Sequence, residues 1–231
     1  MIQIGDGIYI VDGPNVSFFG TPYPTRSVFV KLANGDLWIW SPTHLSDEIR
    51  AFVTGWGSVK HLVSPNKLHH LFLKEWKVAF PQALVWGPQS TIRKCSDISF
   101  EPPLGDQAPP DWANEIEQFW LNGSLFLDEV EFFHKPSRTA IFGDLTQNFS
   151  EDFLTRNWSV LVHKLARLAK MTEPDAFAPF EIRLTWIWKK KDREKLNSLL
   201  EMNPQKVVMA HGEWKSTNGR QFLERSFRWL L

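Results

Sequence analysis

The chain has 231 residues, 43% hydrophobic and 23% charged, the balance of a globular protein with a sizeable core, and its length does not require a second domain. Lys+Arg and Asp+Glu both total 26 and no basic run is interleaved with aromatics, which argues against a nucleic-acid partner. The lone Cys95 excludes an internal disulfide, no apolar run approaches the ~20 residues of a membrane span, and Met1-Ile2-Gln3-Ile4-Gly5-Asp6 lacks the basic and apolar blocks of a signal peptide; the expected location is cytoplasmic.

Strands are predicted at Ile8 to Val11, Ser27 to Leu32 and Leu37 to Trp40, the last two joined by a tight turn at Asn34-Gly35. Ser46 reads as the N-cap of a short helix with Asp47 and Glu48 in its first turn and Ile49, Phe52 and Val53 on one face. The apolar strand Val59 to Val63 runs into Ser64-Pro65-Asn66-Lys67-Leu68-His69-His70, and helical spacing resumes from Leu71 to Phe80. Ala83 to Trp86 is a further strand, and Pro102 to Pro110 is irregular. Ile116 to Leu121 fits either a strand or a short helix. Val130 to Phe133 and Thr139 to Phe142 form a hairpin that ends at Gly143-Asp144. Ser150 caps a long helical pattern through Trp158, Leu161, Leu165 and Leu168; Leu184 to Trp188 reads as strand and Asp192 to Met202 as helix. Val207 to Met209 is a strand ending at Ala210-His211-Gly212, before an amphipathic close with Phe222, Phe227 and Trp229. The basic cluster Lys189 to Lys191 is read as a solvated helix face, and the 12 tryptophans and 18 phenylalanines chiefly as core.

Three polar clusters, Ser64 to His70, Gly143-Asp144 and His211-Gly212, each follow an apolar strand, and strand ends on one edge of a sheet sandwich are where distant residues converge. Their order and spacing resemble the metallo-β-lactamase superfamily, in which one strand ends in Thr-His-x-His-x-Asp-His, a later one in Gly-Asp and a late one in Gly-His or His-Gly. The phrases SPNKLHHLFLKEW, FFHKPSRTAIFGDLTQNF and VVMAHGE are similar to an uncharacterised subfamily of it. The resemblance implies an α/β fold, a four-layer αββα sandwich spanning residues 1–231 as a single domain, and no particular activity.

Carried over position by position, the motif's first two histidines fall on Pro65 and Lys67, its aspartate on His69 and its last histidine on His70. The histidine that precedes Gly-Asp falls near Leu125, with Asp128 and Glu129 as the nearest substitutes. The resemblance therefore implies that the first metal position has lost its ligands, while the second retains His69, His70, Asp144 and His211 for one zinc, iron or manganese ion. The functional expectation is a mononuclear metal-dependent hydrolase acting on a small molecule. Asp144 would orient water, and Lys67 would place its ammonium in the vacated metal position, facing Asp144. The alternative is a non-catalytic binding protein that holds no metal, with the same residues in a polar network. A redox metal site is a third reading, disfavoured as a di-iron centre by the lost ligands. His134, His44, Glu213 and Asn66 are secondary candidates, Asn66 chiefly as a cap; His61 and His163 are read as structural or exposed. No phosphate-cradling Gly-rich loop is present.

Overall fold

A computed structural model describes residues 1–231. Its first sheet has six strands in sequence order: β1 (Ile2–Gly5), β2 (Ile8–Phe18), β3 (Thr21–Lys31), β4 (Asp36–Trp40), β5 (Ser58–Val63) and β6 (Leu84–Trp86). The first four are antiparallel; β4, β5 and β6 run parallel, which requires the crossover helices α1 (Asp47–Trp56) and α2 (Leu73–Ala79) between them. The short α3 (Gln89–Lys94) follows β6. The second sheet has the order β10-β9-β8-β7, built from β7 (Ile116–Leu121), β8 (Glu129–His134), β9 (Thr139–Phe142) and β10 (Lys206–Met209), with β9 and β10 parallel.

Alternation along the strands sorts side chains into three cores. Ile8, Ile10, Val28, Trp38 and Trp40 of the first sheet meet Ile116, Val130, Phe132, Ile141 and Val208 of the second, forming the layer between the sheets. The opposite face of the first sheet, with Phe29, Ile39 and Leu62, packs on Ile49, Val53 and Trp76 of α1 and α2. The outer face of the second, with Phe133, Phe142 and Met209, packs on α7 (Lys189–Glu201) and α8 (Gly219–Ser226) through Leu196, Leu199, Phe222 and Leu223. The architecture is thus αββα. A satellite cluster of Phe149, Leu154, Trp158 and Ala166 joins α4 (Glu151–Asn157) to α5 (Val160–Leu168).

Three segments differ from the sequence expectations. The long helix expected after Ser150 is two: Ser150 caps α4, the backbone is extended at Trp158, and the Ser159 side chain accepts from Val162 N to start α5. Trp158 is drawn inward, donating its indole N–H to Pro22 O at 2.7 Å, and the break turns Leu161, Leu165 and Leu168 outward. The strand expected at Leu184 to Trp188 is instead the end of α6 (Phe180–Leu184) followed by one antiparallel bridge between Trp186 and Ser124. Ile116 to Leu121 resolves as strand, paired along its length with β8.

Candidate metal centre

Parallel pairing sets the geometry of the site. The register Met209↔Phe142 aligns β10 with β9, so the residues two positions beyond each, His211 and Asp144, emerge at the same height. β4 and β5 end on the same edge and supply Ser41 and the Ser64–His70 loop, as carboxyl ends of parallel strands commonly do. That loop is folded by buried Ser64, whose hydroxyl donates to Asn66 O (2.8 Å) and His69 O (2.9 Å), and it is tied to β8 by Val130 N to Pro65 O at 2.9 Å.

His69, Asp144 and His211 converge, their ligand-type atoms all within 4.8 Å of one another. His69 Nε2 lies 3.2 Å from Asp144 Oδ2, and His211 Nε2 lies 3.2 Å from Asp144 Oδ1. His211 Nδ1 is 2.8 Å from Pro24 O, a carbonyl that can only accept, so Nδ1 carries the proton. In the neutral ring Nε2 then offers a lone pair towards a carboxylate oxygen, and two acceptors at that separation require a cation, either a proton or a metal ion. His69 Nδ1 meets Ser41 Oγ at 2.7 Å. Burial works against charge on His69, yet the adjacent Asp144 carboxylate outweighs it and raises the His69 pKa. Burial likewise opposes charge on Asp144, but His69 and the hydrogen bond from His211 hold its carboxyl far below the usual carboxylate range.

A ring of supporting residues fixes this triad. Asn66 Oδ1 accepts from Leu68 N (2.7 Å), while its amide donates to Asp144 Oδ2 (2.9 Å) and to Glu129 Oε2, so it both caps the turn and enters the site. Glu129 is fully buried and accepts the backbone N–H groups of Gly143 (2.9 Å), Asp144 (2.8 Å) and Leu145 (3.3 Å). A side chain on Gly143 would place its Cβ 2.7 Å from Glu129 Oε2, which is why the residue before Asp144 is glycine. Gly212 has φ +96°, and a Cβ there would lie 2.1 Å from Asn148 O. Arg26 donates to Met209 O (3.0 Å), Gly212 O (2.6 Å) and Asp12 Oδ1 (2.7 Å), clamping the turn that presents His211. Gln147 donates to Asp144 Oδ1 at 3.3 Å, and its buried Oε1 has no donor.

The triad lies in a cleft of about 260 Å³ walled by Tyr23, Phe18, Leu68, Phe72 and Ile182. Tyr23 packs edge-on against His211, with ring centroids 5.2 Å apart; burial, then the charge of Asp144, raises its phenol pKa. His70 lines the cleft, half-buried, outside the close triad; burial, Lys94 and His69 lower its pKa. Lys67 does not face Asp144: its ammonium donates to Phe126 O and stands 4.6 Å over the Phe126 ring. Neither proposed substitute at the first metal position points into the site, since Glu129 is engaged by backbone N–H groups and Asp128 accepts from Ser90 and from Trp120 Nε1 (3.1 Å). His44 pairs with Glu75 (3.0 Å), His134 with Ser137 (2.7 Å) and His163 with Glu151 (2.8 Å); His61 accepts from Trp86 Nε1 (3.2 Å), and the Glu213 side chain is exposed. Tyr23, Arg26 and Gln147 had no sequence signal, because their roles depend on strand pairing and on a turn that the motifs do not specify.

A family model described as a domain of unknown function (DUF4336) matches residues 6–176. The chain belongs to that family. No curated protein sequence matches this DUF4336 chain. Among solved structures, the chain is similar to a metallo-β-lactamase from Pontibacter korlensis, with a TM-score of 0.63 at 13% identity over 99% of this chain and 97% of that one. It is also similar to one from Hirschia baltica (TM-score 0.62, 10% identity, 97% and 94% covered) and to the DIM-1 metallo-β-lactamase exposed to ceftazidime (0.63, 14%, 96% and 93%). This DUF4336 chain therefore has the metallo-β-lactamase fold.

Proposed function

We propose that the protein is a mononuclear metal-dependent hydrolase of a small-molecule substrate, with His69, Asp144 and His211 holding one zinc, iron or manganese ion and His70 available as a fourth donor. The observation that carries this reading is the 3.2 Å contact of His211 Nε2 with Asp144 Oδ1, which, with His211 Nδ1–H committed to Pro24 O, calls for either a proton or a metal ion at that pair. Two imidazoles and one carboxylate suit a catalytic zinc site with an open position or a facial-triad iron site. A bound divalent ion would act as a Lewis acid and lower the pKa of water towards ~7.

The chain's own residues supply orientation. Asn66 and Gln147 donate to the two Asp144 oxygens and fix the plane of the carboxylate, leaving its remaining lone pairs for the site. Pro24 O holds the His211 ring in one tautomer, and Arg26 holds the Gly212 turn that carries it. Gln147 Oε1 is buried and has no donor within the chain. Tyr23 and the aromatic wall exclude bulk water from one side.

A non-catalytic, metal-free reading is favoured by one observation: the Asp144 carboxylate raises the His69 pKa, so that a proton on His69 can close that side of the network without an ion. Elemental analysis of protein purified without chelator, beside the Asp144→Ala/His211→Ala double variant, separates the two. One ion per chain that is absent from the variant is the expected result, followed by turnover of an ester, lactone, thioester or phosphoester. No metal in either sample after reconstitution with zinc, iron(II) and manganese would reject the hydrolase reading and leave the binding protein.

A further inference from the structure

The outward turn of α5 leaves apolar surface that no element covers. Leu161, Leu165 and Leu168 follow i, i+4, i+7 spacing along one face and are 67%, 54% and 80% exposed. A second group lies at the other end of the same region, where Leu184, Ile187 and Trp188 are 66%, 56% and 60% exposed. Arg183 joins them, reaching from α6 to donate Nη2–H to Ala169 O at the end of α5 (2.8 Å). Six such residues exceed the scattered single hydrophobics of an ordinary surface.

Charge in these segments is as one-sided as the apolarity. Phe153 to Thr172 contains Arg156, Lys164, Arg167 and Lys170 and no acid; Ile182 to Lys191 contains Arg183, Lys189, Lys190 and Lys191 and no acid. Arg156, Arg167 and Lys170 are paired with Asp152, Glu151 and Asp175, while Lys164, Lys190 and Lys191 are exposed and make no ion pair. The chain as a whole has zero formal net charge, so this is local segregation, bounded by the exposed acids Glu151, Asp152 and Glu173 and interrupted by Glu181.

We infer that this face docks on the surface of an anionic lipid bilayer. Aliphatic side chains and a tryptophan enter the headgroup boundary while neighbouring lysines, their stems lying along apolar surface, meet the phosphates. A second copy of the chain fits less well, because self-association through this face would bring Lys164, Lys190 and Lys191 against their like. No helix is long and apolar enough to cross a membrane, so the attachment is peripheral. The same segment adjoins the cleft: Pro179, Glu181 and Ile182 line it, while Phe180 and Leu184 are exposed beside them.

The test is co-sedimentation of the purified full chain with vesicles of phosphatidylcholine alone and of phosphatidylcholine containing one-third phosphatidylserine. Binding to the anionic vesicles, weakened by added salt, is expected. Lys190→Gln/Lys191→Gln should weaken it about 25-fold, on the basis of about five-fold per lysine at the surface. Leu165→Ser/Trp188→Ser should weaken it at least about ten-fold, whereas Lys31→Gln, away from this face, should leave it unchanged. All these side chains are exposed, and thermal unfolding verifies that the variants fold. Equal recovery with both vesicle types, or unchanged binding by the lysine variant, overturns the proposal. So does a lipid-free, concentration-dependent dimer that the Leu165→Ser/Trp188→Ser variant abolishes, which would assign the face to a second copy.

Discussion

Glu129 illustrates how a residue remote from solvent shapes the site. Its carboxylate collects three backbone N–H groups and the Asn66 amide, and so fixes the turn from which Asp144 projects. A Glu129→Gln substitution keeps the shape but turns an amide donor towards N–H groups; a loss of about 2–3 kcal/mol in urea unfolding is expected, with loss of metal. Glu131, two residues along the same strand, is buried with neither oxygen facing a donor, and burial followed by the Glu129 charge raises its pKa well above 4.5. A raised carboxyl pKa gives stability that is present below the unfolded value and lost as pH rises. Glu131→Gln should therefore be more stable than the wild type at pH 7, with the difference shrinking towards pH 4, as paired unfolding curves would show.

Among the elements, the ends of β9 and β10 and the break between α4 and α5 carry most of the functional consequence. Gly212→Ala forces a side chain at φ +96° into Asn148 O, so the turn must move and carry His211 with it. Metal content should fall with a stability loss of about 2 kcal/mol or more, measured by elemental analysis and denaturant unfolding. Ser159→Ala removes the cap that restarts the helix after Trp158 and should cost about 1 kcal/mol. The individual strands and helices and the three strand-end clusters are legible in the sequence because apolar runs, turn residues and caps are local signals, and the αββα order comes from the resemblance those clusters carry. The break at Trp158 is not, since a helical period of apolar residues does not reveal whether the stripe faces core or solvent; here Trp158 finds its partner at Pro22.

For the whole molecule, acid sensitivity follows from two histidines buried away from the cleft. Burial lowers the pKa of both His61 and His134 from 6.5 to about 4. Between those values the unfolded chain binds protons that the folded one does not, so stability falls as pH drops from about 6.5 to 4, by about 3 kcal/mol for each. His61→Asn keeps an acceptor for Trp86 Nε1 and removes that titration, and should flatten the pH dependence of unfolding over this window. The proposed metal site predicts a shift in the opposite direction: an ion that binds only the folded state would raise the unfolding temperature with its concentration, and Asp144→Ala should abolish the increase.

The sequence alone determined which segments are layered, because alternation and helical period record burial, and the resemblance carried by its three strand-end clusters named His69, His70, Asp144 and His211 as the candidate set. Tertiary structure decided which of those candidates meet. Parallel register set Asp144 and His211 side by side, while Lys67 turned to Phe126 and left Asn66 to face Asp144. It also decided the surroundings, since Tyr23 and Arg26 reach the site through pairings that span much of the chain, and Gln147 through the turn that follows Asp144. Local propensity cannot encode a contact of Arg26 with Gly212 O across 186 positions; only the closed sandwich brings the two together.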